Sequence, residues 1–207
     1  EVVAGATNLE LDVESGKRGV RADFLRARLA KICGAEDALI VNNNAAAVLL
    51  SLSALATGRE VIVSRGELVQ IGGGFRIPDV IVQGGAVLRE VGTTNITSVD
   101  DVRAAMGDDT GAILRVHLSN FRVEGFVSRP GTRELAGLKT ADVPLIEDLG
   151  SGNLLEHLDG RSISEPTPAR VIAEGADLVC FSGDKLLGGA QAGLIAGRRD
   201  LIERLAK

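Results

Sequence analysis

Short apolar, β-branched runs recur along this 207-residue chain at intervals that leave room for a helix between most of them. They are ALIV at 38–41, EVIVS at 60–64, VLREV at 87–91, AILRVH at 112–117, PLIED at 144–148, DLVCF at 177–181 and AGLIA at 192–196. The segments 44–56, 98–107, 132–139 and 168–176 between them carry helical patterns. Strand alternating with helix predicts parallel β-α-β crossovers, hence an α/β three-layer sandwich with a mainly parallel seven-stranded sheet. The last two runs are separated only by the Gly-rich SGDKLLGGAQ. That gap is too short for a crossover helix, so the final strand is expected to run antiparallel to its predecessor.

Composition narrows the functions such a sheet can serve. With 23 Lys plus Arg against 28 Asp plus Glu the net charge is −5, which excludes a polybasic nucleic-acid arm as the whole basis of binding. Cys33 and Cys180 sit far apart in apolar stretches, so neither a zinc ligand set nor a disulfide framework is suggested, and a reducing, cytoplasmic setting fits. No run approaches the ~18 to 20 apolar residues of a membrane span. The chain opens on Glu1 and closes in LIERLAK with no helix stop after it, so it is expected to be part of something longer. Residues 38–207 read as one sheet domain and residues 1–37 as a segment leading into it. Within that segment, residues 17–31 carry Lys17, Arg18, Arg21, Arg26, Arg28 and Lys31, opposed only by Asp23. The cluster is either a solvated basic face or an anion site.

In open α/β sheets ligands lie beyond the carboxyl ends of the strands, and three of those junctions hold reactive groups. After ALIV come Asn42, Asn43 and Asn44 and an Ala-rich helix, which makes either an anion seat at a helix N-terminus or a plain helix cap. PLIED ends on Glu147 and Asp148 before LGSG; Asp148 either enters the cleft and meets a cation or caps the following turn. DLVCF runs into Ser182, Gly183, Asp184 and Lys185. Lys185 is either a surface charge or an amine placed for Schiff-base chemistry. Together, a phosphate seat, a carboxylate for a ring nitrogen and an amine for an aldehyde are the three handles of pyridoxal phosphate. His117, at a strand end, either lies near such a ring or is structural.

The order of these handles resembles the aspartate-aminotransferase-like (fold-type I) large domain of pyridoxal-phosphate enzymes. NLELDVESGKRGVR, VNNNAAAVLL, EVIVSRGELVQIGGGFRIPDV, EVGTTN, LIEDLGSG and FSGDKLLGGAQAG resemble, more narrowly, bacterial selenocysteine synthase, the L-seryl-tRNA(Sec) selenium transferase family.

The resemblance implies that Lys185 forms the internal aldimine with pyridoxal 5'-phosphate and that Asp148 pairs with the pyridinium nitrogen. It implies that Ser182 contacts the cofactor phosphate with the helix start at Asn43, Asn44 and Ala45, that Asn120 faces the ring hydroxyl, and that Asp184 assists proton transfer or shapes the loop. Arg18 and Arg21 become candidates for selenophosphate or the tRNA acceptor end. The implied reaction turns L-seryl-tRNA(Sec) into L-selenocysteinyl-tRNA(Sec) through an external aldimine and a dehydroalanyl intermediate. The implied assembly is a homo-oligomer built from dimers, with a decameric ring as one form, and with a tRNA-binding region and a small C-terminal domain outside these residues. Two other readings remain open from the sequence: a related lyase or desulfurase acting on a small amino acid without tRNA, and an inactive oligomerising core.

Overall fold

The computed structural model describes residues 11, 15–18 and 23–207. Seven strands form the main sheet: β1 (Asp37–Val41), β2 (Glu60–Ser64), β5 (Val87–Val91), β6 (Thr110–Val116), β7 (Leu145–Gly150), β10 (Leu178–Ser182) and β11 (Gly193–Gly197). Two short hairpins, β3 (Gln70–Ile71) with β4 (Phe75–Arg76) and β8 (His157–Leu158) with β9 (Arg161–Ser162), stand apart from it. The helices are α1 (Asp23–Cys33), α2 (Asn44–Ala56), α3 (Ile77–Gln83), α4 (Val99–Ala105), α5 (Thr132–Ala136), α6 (Pro168–Ala173) and α7 (Arg199–Leu205).

The sheet order is β1-β11-β10-β7-β6-β2-β5. The β10–β7, β7–β6, β6–β2 and β2–β5 pairs are parallel, while β11 is antiparallel to both β10 and β1. The three-layer, mainly parallel sheet is therefore the one expected, and its last strand is the reversed one.

Period-two alternation assigns each strand residue to a face. Val61 and Val63 on β2, with Ile146 on β7 and Cys180 on β10, pack against α2, α3 and α7. Ile62 on the same strand faces the opposite side, where Val102 of α4 and Leu135 of α5 cover it. Ala30 and Cys33 of α1 join Val171 of α6 over Val179 and Phe181 of β10, so α1 shares the sheet's core. Cys33 and Cys180 are free thiols on opposite faces, and burial pushes each up to about 12.

The helix α3 was not among those read from the sequence. Its IPDVIVQ is rich in β-branched residues, but Pro78 opens its first turn and Val80 and Ile81 bury against α2 and the sheet, so tertiary packing overrides propensity. Among the described residues no helix is long and apolar enough to cross a membrane.

One glycine sets the position of α2. A Cβ on Gly193 of β11 would stand 2.0 Å from the Asn43 carbonyl oxygen, so only a bare backbone lets the chain enter the helix this close to the sheet.

Candidate active site

Glu147 and Asp148 are successive residues on β7 and so face opposite sides of the sheet. Glu147 is buried with Arg115 Nη1 at 3.0 Å from Oε2 and the Thr132 hydroxyl donating to Oε1 at 2.7 Å. Asp148, also buried, faces α2. Asn44 Nδ2 donates to its Oδ1 at 2.8 Å, while Oδ2 has no hydrogen-bond partner. Burial is the main cause that pushes the Asp148 carboxyl up to about 6; the Asn44 hydrogen bond and the nearby Lys185 charge pull it back.

The Asn-rich helix start divides its labour. Asn43 is the N-cap of α2, accepting from the Ala46 N–H at 2.8 Å. Asn44 reaches the strand tip instead. The Asn44 and Ala45 N–H groups belong to the first turn, whose amides have no acceptor within the helix and sit at the positive end of its dipole.

Lys185 lies on the loop between β10 and β11, held by Leu186 N–H donating to the Ser151 carbonyl at 3.0 Å and Gly188 N–H to the Lys185 carbonyl at 3.0 Å. Its side chain is exposed, as is that of Asp184. A Cβ on Gly150, two residues after Asp148, would stand 3.9 Å from Lys185 Nζ and 3.6 Å from Ser119 Oγ, so amine and hydroxyl flank the same small space above the end of β7. Ser182 is buried at the end of β10. Gly152, at φ 72°, keeps the next turn tight against it, since a Cβ there would meet the Ser182 carbonyl at 2.3 Å.

Asp148, Asn44, Ser182 and the Lys185 loop thus converge at the carboxyl ends of β7 and β10. Asn120 is exposed on the loop after β6, with its amide donating to the Gln70 carbonyl at 3.5 Å. Arg18 is exposed and forms an isolated antiparallel bridge with Leu11. Arg21 lies outside the described residues.

Several polar groups here had no signal in the sequence reading. Ser119 is one. Another is Glu165, whose Oε2 lies 2.8 Å from His117 Nε2 and accepts from the Ser151 hydroxyl at 3.0 Å. This contact is the structural role open to His117. His117, Ser119, Asn120, Arg122 and Glu165 are among the residues lining a cleft of about 590 Å³ beside the Lys185 loop. The string LIEDLGSG could have drawn attention to Ser151, but nothing local marks Glu165 as its partner.

Sheet order and the single reversed strand define the aspartate-aminotransferase-like, fold-type I α/β fold. Solved structures agree on the fold. D-glucosaminate-6-phosphate ammonia-lyase matches with a TM-score of 0.71 at 22% identity, over 99% of this chain and 57% of that one. An O-acetylhomoserine (thiol)-lyase from Campylobacter jejuni, solved with a pyridoxyl-lysine monophosphate in its chain, matches with a TM-score of 0.63 at 21% identity, over 88% and 40%.

The chain belongs to the L-seryl-tRNA selenium transferase family, whose family model matches residues 1–207. It is 58% identical over 196 residues to the L-seryl-tRNA(Sec) selenium transferase of Methylocella silvestris, covering 94% of this chain and 42% of that protein. Identity to the enzyme of Geotalea daltonii is 52% over 208 residues, covering 100% and 45%. To that of Edwardsiella ictaluri it is 55% over 200 residues, covering 96% and 43%. The chain therefore spans less than half the length of these relatives.

Proposed function

We propose that residues 38–207, entered through segment 1–37 with its basic cluster, form the pyridoxal-phosphate-binding core of an enzyme that converts L-seryl-tRNA(Sec) into L-selenocysteinyl-tRNA(Sec) with selenophosphate as selenium donor. The substrate reading rests on the relatives' identity along the whole chain. The observation that carries the cofactor reading is the buried Asp148 Oδ2, which has no partner and lies close enough to Lys185 for that charge to act on it. A buried carboxylate oxygen left single requires a donor, and a protonated ring nitrogen supplies one.

When bound, pyridoxal phosphate takes an amino group at its aldehyde and withdraws electrons through its protonated ring, which lets a β-hydroxyl leave and a selenium nucleophile add. Lys185 Nζ would hold the aldehyde and, once released, take up and return the α-proton. Asp148 would keep the ring nitrogen protonated. The Asn44 and Ala45 amides, with Ser182, would hold the phosphate; because the Asn43 and Asn44 side chains are engaged elsewhere, the backbone supplies the helix's share. Asn120 would face the ring hydroxyl, Asp184 would assist proton transfer beside Lys185, and Arg18 and Arg21 would take the anionic selenium donor or the tRNA end. Phe126, 92% exposed, together with exposed Phe121 and Leu186, supports assembly into a homo-oligomer of dimers that covers this side of the molecule.

The test is borohydride reduction of the full-length protein followed by peptide mapping, then turnover with seryl-tRNA(Sec) and selenophosphate. A pyridoxyl adduct on Lys185 with selenocysteinyl-tRNA formed is the expected result. An adduct without tRNA turnover, but with turnover of a free amino acid, replaces the substrate reading by that of a small-substrate lyase. No adduct at all leaves an idle core.

A further inference from the structure

Asn44 does not cap its helix, because Asn43 already does so. It is nonetheless buried, and its amide makes a contact that crosses 104 positions to reach Asp148. The contact has a cost, since Asn44 Oδ1 is itself buried without a partner. A side chain kept only to anchor the helix would do better as an apolar one that orphans nothing.

We infer that Asn44 is a positioning residue: its bond to Asp148 Oδ1 locks the carboxylate to the first turn of α2, so that the free Oδ2 is held at a set distance from the helix amides. The inference rests on the cofactor reading above. In that reading Oδ2 meets the ring nitrogen and the α2 amides meet the phosphate, which are opposite ends of one rigid molecule. Asn44 then fixes the spacing between the two seats before the cofactor arrives, and preorganisation of this kind appears as affinity.

The bond also sets which carboxylate oxygen is free. An ionised Asp148 can accept at both oxygens; with Nδ2 bonded to Oδ1, Oδ2 is the oxygen left without a partner. The charged or titratable groups that act on Asp148 are Lys185 on the loop after β10, Cys180 on β10 and, from the other face of the sheet, its neighbour Glu147. None of these donates a hydrogen bond to the Asp148 side chain among the described residues, so Asn44 is the side chain that orients it.

The experiment is a double-mutant cycle on the full-length protein, with pyridoxal phosphate affinity read by absorbance. Asn44→Ala is expected to weaken binding roughly ten- to a hundredfold, the loss of a hydrogen bond to a charged group. In an Asp148→Asn background the same change should cost little, because the orientation it controls no longer matters. In the cofactor-free protein, Asn44→Ala should also carry the fall of stability with rising pH beyond about pH 6, because the carboxylate loses a donor that favours its charged form. An equal loss of affinity in both backgrounds, with the curve unmoved, overturns the inference and leaves Asn44 as a structural tie. Failure of the unaltered protein to take up pyridoxal phosphate overturns the cofactor reading instead, and with it the cofactor part of this inference, while the stability curve still decides whether Asn44 controls Asp148. Should Asn44→Ala not fold, Asn44→Ser in the same two backgrounds makes the same comparison.

Discussion

Glu147 and Asp148 share a peptide bond and have opposite chemical situations: Glu147 has its carboxylate filled by Arg115 and Thr132, while Asp148 keeps an oxygen open. The pleat of β7 separates them by a sheet thickness, with the structural ion pair on the α5 face and the open carboxylate on the α2 face. Arg115→Ala should therefore be a stability variant. It leaves buried Glu147 without its cation, a loss of about 3–5 kcal/mol, and urea denaturation should show it most strongly at neutral pH. Glu147→Gln, which removes the charge with nearly the same shape, should cost less.

Asp148→Asn should behave in the opposite way in the absence of cofactor. Burial moves the carboxyl from the ordinary 3.8 to about 6, so between these pH values the folded chain binds more protons than the unfolded one and stability falls as pH rises. The neutral variant escapes that loss. Thermal melts should find it more stable than the parent at pH 8, by the order of 3 kcal/mol, and little different near pH 3.5, while pyridoxal phosphate affinity falls.

A second buried carboxyl gives an independent pH effect. Glu67, which follows β2, accepts from the Val116 N–H at 3.1 Å; burial pushes it from 4.5 to about 7, against the pull of Arg115. The native state again holds the proton longer than the unfolded one, so the stabilisation present below pH 4.5 is lost as pH climbs through 7. Glu67→Gln can keep an acceptor for Val116 and should flatten the melting-temperature profile between pH 5 and 8. An unchanged slope would show that Glu67 does not control it.

Gly193→Ala should displace the start of α2. The added methyl would sit 2.0 Å from the Asn43 carbonyl, and relief requires the strand or the helix to move. A loss of about 1–3 kcal/mol in urea denaturation is expected from overpacking, together with weaker cofactor binding, because the Asn44–Asp148 bond and the α2 amides move together.

The sequence by itself determined the seven strands of the main sheet, four of the helices and the direction of the last strand. These follow from runs of apolar residues and the length of chain between them, which are local quantities. Resemblance in long strings such as SRGELVQIGGGFRIPDV determined the family. Asp148, Ser182 and Lys185 were legible because each sits where a strand ends, and α/β sheets place ligands there. Only the tertiary structure decided that Asn43 caps while Asn44 reaches Asp148 at the end of β7. It also decided that His117 is engaged with Glu165 and that Ser119 and Lys185 flank one space above Gly150. The deciding contacts join residues far apart in the chain and depend on ångström-scale approaches, such as Gly193 against Asn43, which residue spacing does not encode.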